Sequence, residues 1–320
     1  MQEAIYRTVS GISKAGRTTQ RFRRSLTWAA ENFIDLKRVQ HAYRCSRGLV
    51  YKAVYEQLEL KRKTRLYPYP KVIGIDEHSF RKPKYQPVEY ASVIVDHKNR
   101  RLFEAIDGRD LNALEGGVKH LEGRKKVKLV TLDLSSTFRS FCKSEYPNAK
   151  LVADRFHVQR AFCKLVNKFR RRVTGDKRSH PMRKLLLREG RKLEWYQQRA
   201  IAEWIAQFPN LREAYMLKEA VHRFYSIKGM DRARRALIKI LDRMGTSQLK
   251  EIKGLRKVVM DWKDEILGYF IGRHSNGRVE GFNRKAKLAQ RRAFGYRSFR
   301  NYRLSLLNAC RGARPRRYPL

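Results

Sequence analysis

From Ser25 onward, apolar residues recur three and four positions apart, the spacing of one helical face. SLTWAAENF, DLKRVQHAY and SRGLVYKAVYEQLEL each predict a short helix, and Asp35 and Ser46 stand where N-caps belong, ahead of the second and third. The tight connection Tyr43-Arg44-Cys45 resembles the turn of a helix-turn-helix. The third helix would then carry Arg47, Tyr51 and Lys52 towards a DNA groove. The competing explanation is a small helical subdomain with a basic, solvated face. Residues 1–24 are polar and basic, and are expected to order in part only on DNA.

Past Pro70 the period changes. KVIGIDEHSF is a β-branched run ending in acids, and VEYASVIVD and RLFEAIDG flank the turn His97-Lys98-Asn99-Arg100, which predicts a strand followed by a hairpin. DLNALEGGVKHLEG predicts a helix, VKLVTLD a buried strand, and SSTFRSFCKSEYP a helix closed by Pro147. AKLVAD is another short strand, and RFHVQRAFCKLVNKFRRR starts a long amphipathic helix. The order β-β-β-α-β-α-β-α is, by fold analogy, that of a ribonuclease-H-like domain. Residues 165–272 show helical, strongly basic patterning without a strand, and HSNGRVEGFNRKAKLAQRRAFGYRSFRNY returns as helix from Ser275 or Asn276. The expected fold is therefore α/β (α+β), a ribonuclease-H-like mixed sheet with flanking helices, interrupted by an all-helical insertion and preceded by a helix-turn-helix. The boundaries follow: 1–66 for the basic arm and helix-turn-helix, 70–164 with 273–310 for the sheet domain, 165–272 for the insertion, and 311–320 for a basic tail.

Composition changes what this fold must meet. The 320 residues include 74 Lys+Arg against 30 Asp+Glu, a net charge of +44. That imbalance argues against an ordinary metabolic-enzyme surface and calls for a polyanion, of which nucleic acid is the usual one. Intrinsic disorder fits poorly with 42% hydrophobic and 11% aromatic residues. Cys45, Cys142, Cys163 and Cys310 lack C-x-x-C spacing, against a zinc ribbon or a disulfide scaffold and in keeping with a reducing cytoplasm. The sequence has no apolar run of about 18 residues and its start lacks a signal peptide's apolar centre. A bacterial cytoplasmic protein, nucleoid-associated when bound and without a membrane partner, is expected.

Against so much positive charge the placement of the acids carries information. Asp76, Asp133 and Asp154 each end an apolar strand run, and open α/β sheets hold ligands at the carboxyl ends of their strands. Clustered carboxylates repel one another unless a cation neutralises them. Hard oxygen donors suit Mg²⁺ or Mn²⁺, and two such ions about 4 Å apart serve phosphodiester chemistry. A single Asp after a strand is more often a cap, and Asp154 could cap the helix that begins at Arg155. Glu77 and His78 could be polar strand-end residues only, and His157, one turn after Asp154, a structural histidine.

GIDEHSFRK at 74–82, TLDLSSTFRSF at 131–141, PNAKLVADRFHVQRA at 147–161 and SNGRVEGFNRKAK at 275–287, followed by RRAFGYRSFRNYR, resemble the insertion-sequence transposases of the ISL-three family. The resemblance covers about residues 70–310 and rests on several motifs in order. It implies a DDE-type enzyme with a ribonuclease-H-like core and a helical insertion before the final acid. Carried over, it makes Asp76, Asp133 and Glu280 the catalytic acids and the ligands of two Mg²⁺ ions, with Mn²⁺ able to substitute. Asp154 and His157 match a D-x-x-H element that supports the site, and Asn283 and Arg284 would share a helix face with Glu280. Arg284 and Lys285 would join Arg47, Tyr51 and Lys52 in binding DNA. Expected partners are double-stranded DNA, as terminal inverted repeats and target, and further copies of the chain on DNA. One departure stands out: family members commonly open with a cysteine-rich zinc-binding region, whereas the only N-terminal cysteine here is Cys45. The alternative function is a catalytically inactive, transposase-derived DNA-binding protein or repressor. An RNA-binding protein shares the charge but has no need of convergent carboxylates.

Overall fold

The computed structural model describes residues 18–32, 35–63, 67–176 and 180–311; the expected arm up to residue 17 and the tail from 312 lie outside them. The chain opens with helices α1 (Gln20–Asn32), α2 (Leu36–Ala42) and α3 (Arg47–Lys63). Strands β1 (Val72–Arg81), β2 (Glu89–Asp96) and β3 (Arg101–Asp107) follow, then α4 (Leu111–Val118), β4 (Leu129–Leu132), α5 (Ser136–Glu145) and β5 (Lys150–Ala153). Helices α6 (Arg155–Thr174), α7 (Met182–Leu187), α8 (Trp195–Ala206), α9 (Pro209–Phe224), α10 (Met230–Gly245), α11 (Lys250–Asp261) and α12 (Lys263–Gly272) come next. The last two are α13 (Gly277–Arg292) and α14 (Phe299–Ala309).

The strands form one sheet in the order β3-β2-β1-β4-β5. β2 and β3 are an antiparallel hairpin pairing Ser92 with Ile106 and Asp96 with Arg101, with a bulge between Ile94 and Val95. β4 and β5 run parallel. A five-stranded mixed sheet with flanking helices is the ribonuclease-H-like α/β plan, and β4 lies next to β1 while β5 lies further out. Among the described residues the helices from α6 to α12 are uninterrupted by any strand. No helix of the described residues is long and apolar enough to cross a membrane.

Two compact units divide the chain. The first comprises Met1–Val72, Asp76–Lys126 and Arg278–Leu320. In it α1, α2 and α3 close around Leu26, Ala29, Val39, Val50, Ala53, Val54 and Leu58. Both expected caps form: the Asp35 carboxylate accepts the Arg38 N–H at 2.9 Å, and the Ser46 hydroxyl accepts the Leu49 N–H at 3.3 Å. α1 starts at Gln20, five residues before the apolar pattern and inside the stretch expected to order only on DNA. Its first turn is fixed by polar bonds instead: the Thr19 hydroxyl caps Phe22 at 3.1 Å, and Arg23 pairs with Glu56 at 2.7 Å. A second core joins Phe80, Val93, Val95 and Leu102 of the strands to Val279 and Phe282 of α13 and Tyr302 and Leu306 of α14. The fragment expected as one C-terminal helix is thus two, broken at Phe294-Gly295, where both residues take positive φ.

The second unit comprises Ile73–Ile75 and Val127–Gly277. Its central helix α6 packs on α9, burying Val158, Phe162, Val166 and Phe169. Inside this block Lys218 is fully buried. Its ammonium donates to the carbonyls of Leu186 at 2.8 Å and Arg188 at 2.6 Å and pairs with Glu219, so the charge is neutralised and satisfied. α12 lies close on β5 because residue 268 is glycine; a Cβ there would stand 2.9 Å from the Leu151 carbonyl oxygen.

Candidate active site

Asp76 lies in the middle of β1, not at the end of a strand as its sequence suggested. The strand continues because the following residues alternate, with His78 and Phe80 buried and Glu77, Ser79 and Arg81 partly exposed. Within the first unit the Asp76 carboxylate is oriented from two sides. Oδ1 accepts the Glu77 backbone N–H at 2.8 Å, and Oδ2 accepts the side-chain amide of Asn283 at 2.9 Å. Behind it the contacts continue: Asn283 Oδ1 lies 3.1 Å from His78 Nδ1, and His78 Nε2 lies 2.5 Å from the Tyr302 hydroxyl. One proton arrangement satisfies every member. The Tyr302 hydroxyl donates to Nε2, Nδ1–H donates to Asn283, and Asn283 donates to Asp76, with tautomer and amide orientation assigned from the network. That arrangement requires a neutral imidazole. Burial, aided by Lys287 and opposed by the Asn283 bond, lowers the His78 pKa to about 4.

Glu280 stands in the first turn of α13 with its side chain about half exposed, paired with Arg284 at 2.8 Å. The expected shared face of Asn283 and Arg284 divides: Asn283 is buried against Asp76, while Arg284 is exposed beside Glu280. The reason is angular, because positions three and four after Glu280 fall on opposite flanks of it, one towards the sheet and one towards solvent. Lys285 is exposed, its ammonium 5.4 Å from the centre of the Phe282 ring.

In the second unit Asp133 directly follows β4 and is partly buried. Burial and then the Asp133 charge push the Cys142 thiol well above its ordinary range. Asp154 follows β5 and is buried, but its side chain does not cap α6. It reaches instead to Asn276, whose backbone N–H it accepts at 2.9 Å. The Asn276 side chain donates to the Ile75 carbonyl at 2.9 Å and accepts from the Thr131 hydroxyl. One asparagine thus joins Ile75 of β1, Thr131 of β4 and the residue after β5. His157 Nδ1 lies 4.0 Å from Asp154. Tyr225 packs behind, 5.1 Å from Tyr269 by ring centres, its hydroxyl buried without a hydrogen-bond partner among the described residues. Burial, then the Asp154 charge, holds that phenol protonated.

Sequence patterning missed Asn276 and Tyr302. Asn276 reads locally as a helix start, and its partners lie 122, 145 and 201 residues away. Tyr302 had only its place in a helical apolar stripe as a signal. In α3, Arg47 stacks over Tyr51 at 5.3 Å, and Lys52, also exposed, lies 4.0 Å from Glu56. Among the described residues no three His, Cys, Asp or Glu side chains are grouped so as to hold a metal ion.

The chain is 26% identical over 257 residues to the transposase for insertion sequence element IS1557 of Mycobacterium tuberculosis, covering 71% of this chain and 57% of that protein. It is 23% identical over 219 residues to the transposase for insertion sequence element IS1001 of Bordetella parapertussis, covering 65% of this chain and 54% of that protein. The chain therefore spans a little over half the length of these curated relatives. The model of the ISL3 transposase family matches residues 73–306, from Ile73 in β1 into α14. With so much of the chain matched, over the sheet, the helical block and the segment carrying Glu280, the protein belongs to the ISL3 family of DDE transposases.

Proposed function

We propose that the chain is a DNA transposase that binds the terminal inverted repeats of an insertion sequence, cleaves there and joins the freed 3′-hydroxyl to target DNA. The observation that carries this is the buried polar order around scarce acids in a chain of net charge +44. Asn283, fixed by His78 and Tyr302, orients Asp76, while Asn276 fixes Asp154. Glu280 lies in sequence between these two asparagines. Buried polar networks are costly unless complete, so their presence behind carboxylates argues for a geometrical task.

As the acids that the family resemblance assigns, Asp76, Asp133 and Glu280 would hold Mg²⁺, although the described residues do not group them as a metal site. Their carboxylate oxygens are the donors a hard cation takes, and the structure leaves all three less than fully buried. Releasing Glu280 from Arg284 costs little, since an exposed pair of this spacing contributes about 0.3–0.5 kcal/mol. When bound, such ions would acidify a water and stabilise charge on the leaving 3′ oxygen. The protein's own part is to aim the acids: Asn283 fixes Asp76, and neutral His78 keeps Asn283 from rotating. Asp154, with His157 beside it, holds the Asn276 backbone N–H. Arg47, Tyr51 and Lys52 read or grip the repeats, Arg284 and Lys285 contact phosphates near the cut, and a pair of chains brings two ends together.

The test is cleavage of DNA carrying the element ends. The full chain gives nicks with 3′-hydroxyl ends when Mg²⁺ is added, and Asp133→Ala gives none while still shifting the same DNA in a gel. Nicking by Asp133→Ala at the wild-type rate refutes the active-site assignment. A wild-type chain that shifts the DNA without nicking it supports the repressor alternative.

A further inference from the structure

Phe294 is at odds with both of the rules that normally place a phenylalanine. It is 87% exposed, the highest value of any large hydrophobic side chain among the described residues. It also has φ 51°, in the left-handed region that disfavours a side chain. The local bonds explain the backbone. The Gly295 N–H donates to the Gln290 carbonyl at 2.9 Å and the Phe294 N–H to the Arg291 carbonyl at 3.1 Å, the paired termination in which the first residue past the cap turns left-handed. Glycine usually occupies that position; here it stands one place later, and the phenylalanine bears the strain. Neither burial nor backbone preference accounts for this residue, and strain retained at an exposed position points to a contact outside the chain.

The surroundings specify the contact. Phe294 lines a cavity of about 1470 Å³ in the first unit, together with Arg47 and Tyr51 of α3 and Arg292, Tyr296 and Arg297 beside it. Seven Arg and Lys residues and three Asp and Glu residues line the whole cavity. A basic wall suits phosphates. An exposed aromatic ring amid arginines suits the face of a base, which stacks on aromatic side chains whatever its identity. Apolar wedges of this kind also enter between base steps and unstack them.

We propose that Phe294 is a stacking wedge for an unpaired or unstacked base of DNA bound along this cavity. The inference rests on the DNA-binding function proposed above. It adds that the protein distinguishes locally opened DNA from intact duplex, and that a single side chain does so. The left-handed turn projects the ring past the end of α13, and the backbone strain is the cost of that projection.

The experiment uses the full chain and two versions of one short duplex, fully paired or opened by two unpaired nucleotides, one of them 2-aminopurine. Wild-type protein is expected to bind the opened duplex about tenfold tighter than the paired one and to quench the 2-aminopurine emission. Phe294→Gly relieves the strain while deleting the ring, so loss of folding cannot imitate loss of stacking. It should keep the affinity for paired duplex within about twofold and lose both the preference and the quench, while Phe294→Trp should retain both. Equal behaviour of wild type and Phe294→Gly overturns the wedge, as does an equal loss of affinity for both duplexes. A change in the oligomeric state of the DNA-free protein on Phe294→Gly also overturns it, because the ring would then be a contact between copies of the chain. Wild-type protein that binds neither duplex refutes the DNA reading and the wedge with it; binding both equally, without quenching, refutes the wedge alone.

Discussion

Asn276 ties together three segments of the second unit, and two substitutions separate its roles. It is 3% exposed and makes three hydrogen bonds: its N–H to Asp154 and its amide to Ile75, each at 2.9 Å, and its side-chain oxygen from Thr131. Asn276→Ala keeps the backbone bond and removes the other two. It leaves the Ile75 carbonyl without this donor, a loss of about 1–3 kcal/mol. Asn276→Asp keeps the acceptor for Thr131 but sets an oxygen against the Ile75 carbonyl oxygen and adds a charge close to Asp154. A buried charge left uncompensated costs about 3–5 kcal/mol, so the aspartate variant should be the less stable at neutral pH. The sign of its pH dependence follows. Burial and Asp154 raise the folded-state pKa of the new carboxyl, so its destabilisation is full above that pKa and shrinks as pH falls through it, when the protonated carboxyl can again donate to Ile75. Urea unfolding followed by tryptophan fluorescence measures this, with Trp195, Trp204 and Trp262 all in the second unit. Stabilities of both variants within 1 kcal/mol of wild type, or an aspartate variant no less stable than the alanine one at pH 7.5, would mean that the Asn276 side chain does not hold this junction.

Three further outcomes are expected. The folded-state pKa of His78, about 4, is below its ordinary 6.5; the stability this confers is full above pH 6.5 and is lost as pH falls through 4. At 1.36 kcal/mol per tenfold change in proton affinity the loss approaches about 3 kcal/mol, and urea midpoints across that range should show it in wild type but not in His78→Gln. Gly268→Ala places a Cβ against the Leu151 carbonyl and should lower stability by about 1–3 kcal/mol, measured by the same unfolding. Arg47→Ala should weaken binding to element-end DNA and reduce the slope of log affinity against log salt by about 1; an unchanged slope would take Arg47 off the phosphates.

Much of this was legible in the sequence, for identifiable reasons. Asp133 and Asp154 follow short strands whose apolar runs are complete, so their positions could be read directly. Asp76 was misplaced because the acids after VIGID look like a strand end, whereas the alternation through His78 and Phe80 continues β1 to Arg81. The start of α1 was hidden because its first turn is held by Thr19 and by the Arg23–Glu56 pair rather than by an apolar stripe. The break after α13 was signalled only by Gly295, one residue past the strained position. The supporting network was not legible at all. His78, Asn283 and Tyr302 are separated by up to 224 residues, and no local period relates them. Sequence patterning finds residues that satisfy their own element, and it misses side chains whose partners the fold supplies.

Asp133, with Asp76 and Glu280, is proposed to act by holding a metal ion during DNA cleavage. The direct measurement is end cleavage by Asp133→Cys in Mg²⁺ and in Mn²⁺, beside Asp133→Ala. A thiolate is a poor ligand for hard Mg²⁺ and a better one for Mn²⁺. The cysteine variant should be inactive in Mg²⁺ and regain nicking in Mn²⁺, while the alanine variant stays inactive in both. Full activity of the cysteine variant in Mg²⁺, or identical behaviour of the two variants in both metals, would mean that Asp133 is not a metal ligand.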